Sequence, residues 1–103
     1  MIKVNIKKDE ITIKGHARYS EYGTDIVCAS VSSIVGTIVN CIMNIDRDSI
    51  IYSDDGKVMT IKVIKDNSVV NTIISTMIEL LKDLERQYKE NIKVESEEWK
   101  CYI

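Results

Sequence analysis

His16 is the only histidine in the 103-residue chain, and Cys28, one of three cysteines, follows it twelve residues later. An imidazole and a thiol within hydrogen-bond reach can act as base and nucleophile. The ring pairs with the thiolate, the thiolate attacks a carbonyl, and the imidazolium protonates the leaving group. The residues around the pair could support such chemistry. Asp25 supplies a carboxylate, Ser32 a hydroxyl, Tyr19 and Tyr22 aromatic surface, and Gly15 and Gly23 backbone freedom. A zinc site would need Cys28, His16 and distant carboxylates, with no CxxC pair to anchor it, so no metal is expected. No GxGxxG, P-loop or GxSxG is present, and no cofactor is expected.

The pair depends on the elements that carry it. Ile2, Val4 and Ile6 alternate with polar residues, and Ile11 and Ile13 resume the alternation after Lys8-Asp9, which predicts a hairpin. If Gly15 shares the core face with Ile11 and Ile13, His16 falls on the opposite, accessible face at the strand end. Residues 18–25 break both periodicities and read as a loop, a candidate lid over an extended peptide.

A helix is expected from Ile26 to about Met43, with Val27, Val31, Ile34, Ile38 and Cys41 or Ile42 on one stripe. Cys41 on that stripe and Cys101 near the C-terminus read as structural. Gly36 and Ser32-Ser33 offer small surfaces for close approach by another element. Asp25 or Thr24 can cap the helix, which places Cys28 in the first turn, at the edge of the core stripe. There, unpaired N–H groups and the helix dipole stabilise a thiolate, and the N–H of Cys28 is a candidate oxyanion donor.

Asp-Gly between Ile50-Tyr52 and Val58-Ile64 predicts a second hairpin. Asp66, Asn67 or Ser68 can cap a second helix with the stripe Val70, Ile73, Ile74, Met77, Leu80, Leu81, Leu84 and Tyr88, ending near Asn91. From Ile92 the chain reads as an edge strand guarded by Glu95, Glu97 and Glu98. The expected fold is a two-layer α+β ββαββαβ domain over residues 1–103, with two helices packed on a mostly antiparallel or mixed sheet.

Composition excludes several classes. The net charge of -2 lacks the footprint of a nucleic-acid binder. An odd number of cysteines fits a reducing compartment. No targeting pattern is visible, and no apolar run approaches the roughly 20 residues a membrane-spanning helix needs, so a cytoplasmic, soluble protein is expected. From spacing alone, the catalytic pair stands beside a plainer alternative, a solvated strand-end histidine and a small core thiol.

The strand-end Gly15-His16-Ala17 and the following Asp25-Ile26-Val27-Cys28-Ala29-Ser30-Val31-Ser32 resemble the ribosomal-processing cysteine protease family Prp, also called YsxB-like. The resemblance extends to chain length and element order. It implies an endopeptidase that removes the N-terminal extension of the large-subunit ribosomal protein bL27, typically as a homodimer. The family nucleophile falls on Cys28 and its base on His16, with supporting positions at Asp25 and Ser32. Two other readings remain at this point. One is a non-enzymatic ribosome-associated module that holds a basic ribosomal protein, with Glu21, Asp25, Asp54 and Asp55 as complementary charge. The other is a redox-sensing thiol protein.

Overall fold

The computed structural model describes residues 1–15 and 25–97. The strands are β1 (Ile2–Ile6), β2 (Glu10–Lys14), β3 (Ile50–Asp54), β4 (Val58–Val63) and β5 (Ile92–Ser96). The helices α1 (Ile26–Asp46) and α2 (Ser68–Gln87) interrupt them in the expected ββαββαβ order. The five strands form one mixed sheet in the order β3-β4-β2-β1-β5. All pairings are antiparallel except the parallel contact of β1 with β5.

Period-two alternation decides the faces. Ile2, Val4, Ile6, Ile11, Ile13, Ile61 and Ile92 are buried on the helix-covered face, while Lys3, Lys14, Lys62 and Lys93 lie exposed on the other. β5 is an edge strand bearing Lys93 and Glu95, as its composition predicts. In the second hairpin, Gly56 takes φ +86°. Asp55 Oδ1 accepts from the N–H groups of Lys57 and Val58 at 2.8 and 2.7 Å.

The chain passes from β2 through α1 to β3 and from β4 through α2 to β5. Since α2 packs against both α1 and β5, α1 covers the β3 side of the sheet. α1 buries Val27, Val31, Val35, Ile38, Val39 and Ile42. It runs to Asp46, beyond the expected end near Met43, and closes where the Asp46 carbonyl accepts from Ser49 Oγ at 2.7 Å.

Cys41 requires a correction. It is exposed, whereas Ile42 is fully buried. With 3.6 residues per turn, Ile42 falls near the centre of the buried stripe and Cys41 is carried about 100° away. Among the described residues, nothing lies within 4 Å of a Cβ added at Gly36, so no described element approaches it closely. By length and composition α1 could also cross a membrane, since an 18-residue stretch within its 21 residues reaches a mean hydropathy of 2.0. That overturns the expectation that no apolar run was long enough. Here its apolar stripe is part of the core.

Asn67 is the α2 cap, its Oδ1 accepting from Val69 and Val70 N–H at 3.0 and 3.2 Å. α2 ends at Gln87, not near Asn91, because Tyr88 leaves helical geometry at φ -132°. Ile78 is buried, whereas Leu80, expected in the stripe, is 42% exposed. Asp46 joins the lower ends of both helices through Lys65 Nζ at 3.0 Å and Asn67 Nδ2 at 3.1 Å.

Candidate active site

Strand register gathers the chemistry at one end of the molecule. Lys3 pairs with Lys14, and Lys14 with Val58. The end of β2, the start of β1 and the Asp54–Lys57 turn therefore share one end of the sheet. The Asp46 contacts hold the last turn of α1 at the opposite end, so Asp25 and Cys28 stand at the β2 end.

Gly15 differs from its expected role. The alternation stops at Lys14: Gly15 is exposed and takes φ +95°. A Cβ there would lie 2.4 Å from the Met1 carbonyl oxygen. The residue therefore turns the chain sharply against β1, a conformation open only to glycine. The strand alternation cannot be carried forward to His16. His16, Tyr19, Tyr22, Gly23 and Cys101 lie outside the described residues.

Asp25, a buried carboxylate, is the α1 cap. Its Oδ1 accepts from Val27 N–H at 2.9 Å and from Cys28 N–H at 3.1 Å, satisfying two donors that a helix start leaves open. The Cys28 N–H, the candidate oxyanion donor, is thus held by the Asp25 carboxylate in this structure. Cys28 is half-buried and packs against the core cluster, at the boundary expected for the edge of the stripe. Ser32, one turn on, is exposed on the same side of α1.

An open groove of about 670 Å³ runs between the helices, lined by Ile26, Ser30, Ser33, Ile34, Leu80 and Leu84. It does not belong to the thiol. With 3.6 residues per turn, Cys28 points about 100–160° around α1 from the groove-lining residues of its own helix, Ala29 being the nearest. Cys28 therefore faces away from α2, toward the β3 side. On that side, Tyr52 is half-buried, and burial followed by the charge of Asp54 pushes its hydroxyl above the usual tyrosine range.

A thiol at the capped start of a crossover helix, beside a sheet edge, is an arrangement suited to covalent catalysis on a carbonyl. Comparison with known proteins gives this arrangement its class. Residues 1–93 match the family described as cysteine protease Prp. The ribosomal processing cysteine protease Prp of Staphylococcus aureus is 35% identical over 91 residues, covering 85% of this chain and 86% of the relative. That of Mycoplasma genitalium is 32% identical over 101 residues, covering 96% and 99%. A crystal structure of the Staphylococcus aureus protease with a covalently linked product peptide superposes with a TM-score of 0.84. It is 32% identical and covers 94% of this chain and 100% of the other.

The protein is thus a cysteine protease, and the non-enzymatic reading falls. Within that class, the chain belongs to the cysteine protease Prp family.

Proposed function

We propose that the protein is the endopeptidase that removes the N-terminal extension of ribosomal protein bL27 before ribosome assembly, using Cys28 as nucleophile and His16 as acid and base. The observation that carries this reading is the placement of Cys28. It is the half-buried thiol at the capped start of α1, in a chain whose relatives are ribosomal processing cysteine proteases. The covalently linked product peptide of the Staphylococcus aureus relative also favours a covalent route.

The Cys28 thiolate adds to the scissile carbonyl. Collapse of the tetrahedral adduct breaks the C–N bond as His16 protonates the departing amine, which is the new N-terminus of bL27. The extension remains as a thioester on Cys28. His16 then takes a proton from water, whose oxygen attacks the thioester and releases the extension as a carboxylic acid. Oxyanion stabilisation through the Cys28 N–H requires that Asp25 first yield its 3.1 Å contact. Asp25 supports His16, Ser32 lies one turn behind the thiol, and Tyr19, Tyr22 and Gly23 form the substrate loop. The enzyme works in the cytoplasm as a homodimer.

The test is intact-mass analysis of the host's bL27 precursor incubated with wild type, Cys28→Ala and His16→Ala. Wild type releases one defined N-terminal peptide, and each variant loses about 10³-fold or more in rate. An intact precursor with wild type, or unimpaired cleavage by Cys28→Ala, overturns the reading.

A further inference from the structure

Ladder parity shows which backbone groups β3 leaves open among the described residues. Ile64 N–H donates to the Ser49 carbonyl at 2.9 Å, and Asp55 N–H to the Val58 carbonyl at 3.3 Å. Both lie in register with the β3–β4 pairing, which runs without a bulge from Ile50 opposite Val63 to Asp54 opposite Met59. Hydrogen-bonded pairs alternate along an antiparallel ladder, so Ile51 and Ser53 direct their N–H and C=O groups at β4. Ile50, Tyr52 and Asp54 direct theirs outward from the sheet.

The two edges of the sheet differ in composition. β5 carries Lys93 and Glu95 in its interior, the charge with which edge strands resist pairing. β3 carries no charge before its last residue, Asp54. β3 also lies on the side toward which Cys28 points. It runs toward the Cys28 end of the molecule, where Asp54 and Asp55 add negative charge. The carboxyl of Asp55 is held below its usual range by the Val58 and Lys57 N–H groups, so it is ionised at neutral pH.

We propose that the open edge of β3 docks the substrate: an extended, basic polypeptide segment pairs with Ile50, Tyr52 and Asp54 as a sixth strand, which leads its backbone to Cys28. This rests on the reading of Cys28 as the nucleophile. The general logic is strand addition, in which backbone hydrogen bonds supply affinity independent of sequence. A one-residue shift of the bound chain would present the wrong amides, so the edge also sets which peptide bond reaches the thiol.

Residue-resolved amide hydrogen exchange on Cys28→Ala tests the proposal, with and without a synthetic peptide spanning the bL27 cut. Wild-type cleavage of the same peptide is measured separately. The expected result is that the amides of Ile50, Tyr52 and Asp54 exchange quickly in the free protein and slow by about tenfold or more with peptide, whereas Ile51 and Ser53 are protected throughout. N-methylation of the peptide should weaken binding at alternate residues only. Peptide that is cleaved by wild type and bound by Cys28→Ala without slowing those three amides overturns the docking edge and leaves the protease reading intact. Protection already present in the free protein and lost on dilution assigns the edge to a second copy, which also overturns the proposal. A peptide that wild type does not cleave removes the proposed substrate along with the docking edge.

Discussion

Asp25 Oδ1 accepts a hydrogen bond from the Cys28 N–H at 3.1 Å, so the carboxylate that starts α1 also holds the peptide unit of the proposed nucleophile. Capping and catalysis therefore meet in one side chain, and substitutions can separate them. Asp25→Ala should cost about 1–2 kcal/mol of stability through loss of the cap, whereas Asp25→Asn should cost only a few tenths, because asparagine caps nearly as well. If Asp25 also supports His16, Asp25→Asn should lower kcat well beyond its small loss of Tm. Urea denaturation and peptide cleavage on both variants give the two readouts.

Two glycines with similar backbone angles should respond differently to a methyl group. Gly56 takes φ +86° with nothing within 4 Å, so Gly56→Ala should cost about 1–2 kcal/mol, the penalty of the left-handed conformation alone. Gly15 takes φ +95° with the Met1 carbonyl oxygen 2.4 Å from the added Cβ, so Gly15→Ala must also displace backbone. Its thermal midpoint should fall further than that of Gly56→Ala. Cleavage should fall with it, since the next residue is His16. Equal midpoints for the two variants would contradict the close contact with Met1.

Cys41 and Ile42 are chain neighbours with opposite environments. Ile42→Ala should destabilise by about 2–5 kcal/mol through loss of buried contacts and an unfilled cavity. Cys41→Ala should stay within about 0.5 kcal/mol. In the folded protein a maleimide should modify Cys41 readily, as mass spectrometry of a protease digest can show. Protection of Cys41 would indicate that this face of α1 is covered in solution.

Acid should weaken the junction at the lower end of the helices. The Lys65 ammonium, and then Asn67, hold the Asp46 carboxyl below its ordinary range. A carboxyl whose folded-state pKa is depressed contributes stability above its unfolded value, near 4, and loses it as pH falls through the folded value. The urea midpoint of wild type should therefore drop between neutral pH and about pH 3 by more than that of Asp46→Asn. Parallel curves would show that the ion pair contributes nothing.

The hairpins, both helices and the Asp25 cap are legible in the sequence because each is a local rule. Ile2, Val4 and Ile6 alternate with a period of two. Asp55-Gly56 needs only its own turn geometry, and Asp25 and Asn67 reach amides two and three residues ahead. The His16 and Cys28 motifs are likewise visible as short strings with a characteristic spacing. Tertiary structure decided what depends on distant partners. The parallel pairing of β1 with β5 left β3 as the other edge, and the seating of α1 buried Ile42 while exposing Cys41. The packing of α2 along one flank of α1 left Cys28 facing the other. The need for glycine at position 15 comes from the Met1 carbonyl, fourteen residues earlier in the chain. Periodicity can report that a residue lies on a face, but what that face meets is set by packing between segments far apart in sequence.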